Sequence, residues 1–125
     1  MTLDEFAYQI PVEKTGENDF SAKVRFPEEL SVFSGHFPGN PILPGVAYLF
    51  VAEKLAARVL GEKIVLRQLK RTKFFQPSRP GDPLEIAGRL ENDPGDKNIL
   101  RAQVLFSGED GRKVCSVKMI LEKEK

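Results

Sequence analysis

Tryptophan is absent from this 125-residue chain, and histidine and cysteine occur once each, as His36 and Cys115. A single thiol cannot close an internal disulfide, and no metal-ligand spacing surrounds it. Cys115 sits in an alternating segment and reads as a small core residue. No metal and no cofactor is expected. An excess of charge of one sign is also lacking: 19 Lys and Arg against 18 Asp and Glu leave a net charge of +1. Nothing therefore drives the whole chain toward nucleic acid or an anionic membrane surface. No apolar run approaches the length of a membrane span. The opening Met1-Thr2-Leu3-Asp4-Glu5 is acidic with no apolar region behind it, so a secretory leader is not expected and a reducing, cytoplasmic setting is.

What is present is an ordinary globular composition, 41% hydrophobic and 30% charged. Its length suits one domain over residues 1–125. Glu5 to Val12 places Phe6, Tyr8 and Ile10 on alternate positions and predicts a strand with an edge-type proline at Pro11. A turn over Lys14 to Asp19 leads to a returning strand, Phe20 to Phe26. After the break at Pro27 to Leu30 comes a stretch rich in proline and glycine. A helix begins at Pro44-Gly45 and runs from Val46 to a stop at Gly61. Its first half is apolar on every side, which predicts burial all round.

Strand character then dominates, in Lys63 to Phe75, Leu84 to Leu90, Ile99 to Phe106 and Val114 to Leu121. Turns at Arg79 to Asp82, Asn92 to Asp96 and Gly108 to Gly111 separate them. Within the first of these strands Arg67, Lys70, Arg71 and Lys73 form a basic run. It reads as a solvated face, and one that an acidic carrier protein would find attractive. One helix among many antiparallel strands gives an α+β domain. The sheet is expected to curl around the helix, and a second copy to complete it by edge pairing.

The most constrained stretch is Phe33 to Phe50, FSGHFPGNPILPGVAYLF. A loop crowded with proline and glycine has few backbone states and can hold one polar side chain in place. From Gly35 through Val46 it resembles the G-H-F-P-G-x-P-x-x-P-G-V signature of the β-hydroxyacyl-acyl-carrier-protein dehydratases, which have the hotdog fold. Lys73 to Asp82 resembles the same family's F-x-x-P-V-x-P-G-D block, and the likeness extends over about Phe20 to Leu121.

That resemblance implies a curled antiparallel sheet around one long helix, and a 3-hydroxyacyl thioester on acyl carrier protein or coenzyme A as substrate. It also implies a homodimer or higher homo-oligomer; neither nucleic acid nor membrane is expected as a partner, on the balanced charge. Dehydration removes a proton α to the thioester carbonyl and expels hydroxide from Cβ. By position, His36 is the base, since an unperturbed imidazole is largely neutral near pH 7. By position, the Gly45 N–H polarises the carbonyl at a helix N-terminus. Phe37, Pro38, Gly39, Pro44, Val46 and Phe50 are the implied substrate contacts.

The family's acid, a Glu or Asp five residues after that glycine, is missing: Phe50 stands there. Glu53 lies one turn further along the same stripe and is the candidate replacement, against its plainer reading as a polar helix end. Tyr48 falls on nearly the opposite face. Two rival functions follow from the missing acid. One is a thioesterase using water near His36. The other is a non-catalytic binding module for acyl thioesters or their carrier, with Phe50 extending an apolar tunnel.

Overall fold

The chain folds, in a computed structural model describing residues 1–124, as a six-stranded antiparallel sheet with one long helix across its inner face. In chain order the elements are α1 (Leu3–Gln9), β1 (Val12–Lys14), β2 (Asp19–Val24), a single 3-10 turn (Ser31–Phe33), α2 (Gly45–Leu60), β3 (Ile64–Phe74), β4 (Leu84–Asn92), β5 (Ile99–Gly108) and β6 (Lys113–Lys123). The strands lie in the order β1-β2-β4-β5-β6-β3, every neighbouring pair antiparallel. This is the expected α+β hotdog architecture. Among the described residues no helix is long and apolar enough to cross a membrane.

The strand expected over Glu5 to Val12 is instead mostly α1, and only Val12 to Lys14 pairs with β2. A helix wins because Thr2 caps it: its hydroxyl accepts from the Glu5 N–H at 3.1 Å and satisfies one orphan donor of the first turn. Asp4 and Glu5 add favourable charge there. At the other end Arg58 of α2 donates to the carbonyls of Ala7 and Ile10 at 2.8 and 2.7 Å. The long helix thus supplies the C-terminal cap of the short one.

Alternation places the core as expected. Leu84, Ile86 and Leu90 of β4, Leu100, Ala102, Val104 and Phe106 of β5, and Cys115, Val117, Met119 and Leu121 of β6 are buried on one face. Gly88 of β4 opposes Phe20 of β2, and a Cβ there would lie 2.1 Å from the Phe20 Cζ. The missing side chain makes room for the aromatic ring.

Helix α2 buries Ala47, Tyr48, Val51, Ala52, Leu55 and Ala56 against this face. The small alanines let the helix lie close to the sheet. It ends at Gly61, which takes the left-handed conformation at φ 68° as its cap. Burial all round is not what the structure shows. Val46 is 71% exposed, and Leu49, Phe50 and Glu53 are half-buried. These four recur at helical spacing and form a second stripe, turned away from the sheet.

A matching apolar strip is left uncovered on β3. Leu66 and Leu69 align with the buried Leu121 and Met119, and Phe74 aligns with Cys115. All three therefore belong to the inner face, yet all are exposed. Phe74 touches the start of α2 with one side of its ring, while Leu66 and Leu69 stay open.

Candidate active site

The loop before α2 is held by its own hydrogen bonds. His36 and Ile42 meet twice: the Ile42 N–H donates to the His36 carbonyl at 2.9 Å, and the His36 ring Nδ1 lies 3.2 Å from the Ile42 carbonyl. Phe37 and Asn40 exchange backbone bonds at 3.2 and 3.0 Å inside that pair. Gly35 and Gly39 sit at φ 75° and 74°, where a side chain would be strained. A carbonyl can only accept, so Nδ1 carries the proton in this bond. In the neutral ring Nε2 then keeps its lone pair. The His36 and Phe37 rings stack with centroids 4.4 Å apart, which further fixes the imidazole plane.

The second constrained block closes over the first. The Leu43 N–H donates to the Ser78 carbonyl at 2.8 Å, and the Tyr48 hydroxyl donates to Ser78 Oγ at 2.8 Å. Arg79 reaches Asn40 Oδ1 at 3.4 Å. The Phe74 ring lies against the start of α2, so that a Cβ on Gly45 would be 2.7 Å from its Cζ. No acidic residue occupies the first turn of α2, so its partial positive charge is left for a ligand. The Ala47 N–H donates to the Pro44 carbonyl at 3.0 Å, while the Gly45 N–H has no acceptor within its own helix. The Gly45 amide and the Phe74 ring therefore meet at the start of α2, with His36 on the loop that leads into it, and the apolar strip runs from Phe74 along β3 toward Leu66. Such a place can polarise a carbonyl, take a proton beside it and receive an apolar chain.

The ApeI-like family, described as ApeI dehydratase, matches residues 12–118. The chain belongs to this dehydratase family. It is also 30% identical over 126 residues to the 3-hydroxyacyl-[acyl-carrier-protein] dehydratase FabZ of Ligilactobacillus salivarius, covering 95% of this chain and 84% of that protein. It spans less of other FabZ dehydratases, 66%, 62% and 66% of their lengths in three cases. Among solved structures, the dehydratase heterocomplex ApeI:P from Xenorhabdus doucetiae superposes with a TM-score of 0.71 at 23% identity, over 90% of this chain and 94% of that one. A hypothetical thioesterase from Streptococcus pneumoniae with coenzyme A superposes with a TM-score of 0.72 at 16% identity, over 98% and 96%. At those identities the two structures bear on the fold.

Within this ApeI-like chain, the residues singled out from sequence fall as follows. His36 is half-buried and Phe37, Pro38 and Gly39 are exposed on the loop; Pro44 and Gly45 begin α2, with Val46 open to solvent. Phe50 and Glu53 lie on the outward stripe of α2 and not against the sheet. Lys54, not Glu53, is the charged side chain that reaches neighbours. It pairs with Asp4 at 3.7 Å, and its ammonium lies 5.2 Å from the centre of the Phe50 ring. Tyr48 is on the sheet side, 2% exposed, with its ring edge-on to Phe106 at 5.1 Å. Burial pushes its phenol above the ordinary value, partly offset by the bond to Ser78.

Ser78 and Phe74 received no role from the sequence, although both lie in the second motif block. One signal for Ser78 was visible. It stands where the dehydratase pattern F-x-x-P-V-x-P-G-D has valine, and it is the one buried polar residue among the described residues.

Proposed function

We propose that this chain is a 3-hydroxyacyl thioester dehydratase acting on acyl groups carried by acyl carrier protein or coenzyme A in the cytoplasm. The observation that carries this reading is the His36 bond to Ile42, which holds the proton on Nδ1 and turns Nε2 into the free base. Nε2 takes the α-proton, and the charge that develops on the thioester oxygen is met by the Gly45 N–H. The enolate then collapses to the Cα=Cβ double bond, and the C–O bond at Cβ breaks as the departing hydroxide gains a proton and leaves as water. Phe37, Pro38, Gly39, Pro44, Val46 and Phe50 line the approach.

No carboxylate stands at position 50, so that proton comes from Glu53 or from water. Glu53 is three residues further on, about 4.5 Å along the helix axis. A poorly placed acid typically costs ~10²–10⁴-fold in rate, so a slow enzyme is expected.

A second subunit completes the site in this reading. Leu66, Leu69 and Phe74 on β3 and Val46 on α2 are large apolar side chains left exposed, with Leu49 and Phe50 half-buried beside Val46. A copy of this chain paired along β3 would cover them. The Xenorhabdus doucetiae relative is a heterocomplex, so a different chain in that place is the other outcome of a solution mass measurement.

The test is to incubate the protein with 3-hydroxyacyl and saturated acyl carrier-protein thioesters and follow enoyl product and free acid by mass spectrometry. Enoyl product that disappears in His36→Ala supports dehydration. Free acid from either substrate identifies a thioesterase. Binding without product identifies a carrier module. Turnover unchanged in His36→Ala rules out the mechanism.

A further inference from the structure

We propose that Tyr48 and Ser78 are positioning residues for the Gly45 amide: together they lock the first turn of α2 to the segment after β3 and so aim the N–H that meets the substrate carbonyl. The proposal rests on the reading of Gly45 given above. Ser78 grips the chain on both sides of the Pro44-Gly45 turn. Its carbonyl accepts from the Leu43 N–H at 2.8 Å, two residues before Gly45, and its Oγ accepts from the Tyr48 hydroxyl at 2.8 Å, three residues after. One residue thus fixes both flanks of the amide in question.

Packing alone gives no reason for these hydroxyls. Tyr48 and Ser78 are each 2% exposed, with the Phe74 and Phe106 rings beside the phenol and the Asp82 carboxylate near enough to raise its pKa further than burial does. Phenylalanine opposite alanine or valine would fill the same space with no polar group to satisfy, and replacing both partners of a buried bond by apolar groups is often nearly neutral. What the hydroxyl pair adds is direction. The Tyr48 ring is already anchored edge-on to Phe106 at 5.1 Å and lies 6.1 Å from Phe74. The bond to Ser78 therefore carries that anchoring across to the segment holding Leu43. Without it, the hydrogen bonds left to that segment, Leu43 to Ser78 and the exposed Arg79 to Asn40, all lie on the loop side of Gly45, and the helix side is held by packing alone.

The test compares two probes that differ in the carbonyl alone. One is a ketone with a methylene inserted between the coenzyme A sulfur and the acyl carbonyl; the other is the matching thioether, in which CH2 replaces that carbonyl. Their Kd ratio, read by isothermal titration calorimetry, measures the carbonyl contact without turnover. In the native protein the ketone is expected to bind about fivefold more tightly, the effect of one net hydrogen bond. In Tyr48→Phe and in Ser78→Ala the ratio is expected to fall to about twofold or less while the thioether Kd holds. The double variant should match the singles, because one bond is being removed. Ser78→Thr keeps the acceptor and should keep the ratio.

Two results overturn the proposal while leaving the reading of Gly45 in place. One is a native-like ratio in Tyr48→Phe and Ser78→Ala; the other is an equal loss of affinity for both probes, which marks a purely structural pair. A native protein that binds both probes equally overturns the reading of Gly45 and this proposal with it. Should Tyr48→Phe fold poorly, Ser78→Ala carries the same test, and the Gly45 amide resonance gives a second measure. That resonance should shift in Ser78→Ala and stay in place in the exposed control Tyr8→Phe.

Discussion

Replacing Phe50 with glutamate restores a carboxylate at the position where the resemblance puts the acid. Phe50 is half-buried, so losing it forfeits about 0.8–1.5 kcal/mol, half the value of a fully buried large side chain. The Lys54 ammonium over its ring, 5.2 Å from the centre, contributes a further ~0.5–1 kcal/mol at an exposed site. A glutamate would pair with Lys54 at i+4 in the favourable order and return ~0.3–0.5 kcal/mol. The net cost is about 1–2 kcal/mol, a fall in melting temperature of roughly 3–10 °C for a domain of this size. If the missing acid limits the native rate, Phe50→Glu raises enoyl formation ~10²–10⁴-fold, and adding His36→Ala abolishes the gain. The assay is enoyl product from a 3-hydroxyacyl thioester, followed by mass spectrometry beside a thermal melt. A folded Phe50→Glu protein that is no faster than the native one would refute the reasoning. The proton would then come from elsewhere, and the aromatic ring would be there for the acyl chain.

Three further outcomes follow from the fold. Gly88→Ala drives a methyl to 2.1 Å from the Phe20 Cζ; Phe20 has nowhere to go, and denaturant unfolding should show a loss of about 1–3 kcal/mol or more. Arg58→Met removes both donors from the end of α1, so stability should fall by about 1–2 kcal/mol with faster amide exchange confined to residues 3–10. Burial pushes the Cys115 thiol up to about 12, so the folded chain keeps its proton where the unfolded chain loses it. That contribution is fully present below the unfolded value, about 8.5, and is lost as pH rises toward 12. Stability should decline by at most about 1.4 kcal/mol per pH unit from this group, and Cys115→Ala should remove the slope below about pH 10, above which the raised Tyr48 phenol adds its own.

Strand positions were legible because alternation reports a sheet with one covered face. The segments at Leu84, Ile99 and Val114 show it plainly, with Lys118 outward between Val117 and Met119. The helix from Gly45 to Gly61 was legible from its proline and glycine punctuation. α1 was not, since Phe6, Tyr8 and Ile10 also alternate; the deciding signal, Thr2 three residues before Glu5, is a capping pattern that outweighed a short periodic match. The outward stripe of α2 was misread as core because Val46, Leu49 and Phe50 are apolar, and hydropathy does not say whether a side chain meets its own sheet or open surface. For the candidate site, the loop around His36 was readable as a rigid motif. The Tyr48–Ser78 bond was not, since it joins residues 30 apart in sequence and depends on where the sheet brings them.

The two edges of the sheet are unequal. β1 offers three residues, two of them the charged Glu13 and Lys14, while β3 offers eleven. Strand addition therefore has a single usable terminus. Two such sheets joined at their long edges present only the short ones outward, and the pair cannot recruit a third in the same way. The asymmetry acts as a stop: it permits a hydrogen-bonded partner and denies the chain a route to open-ended fibres.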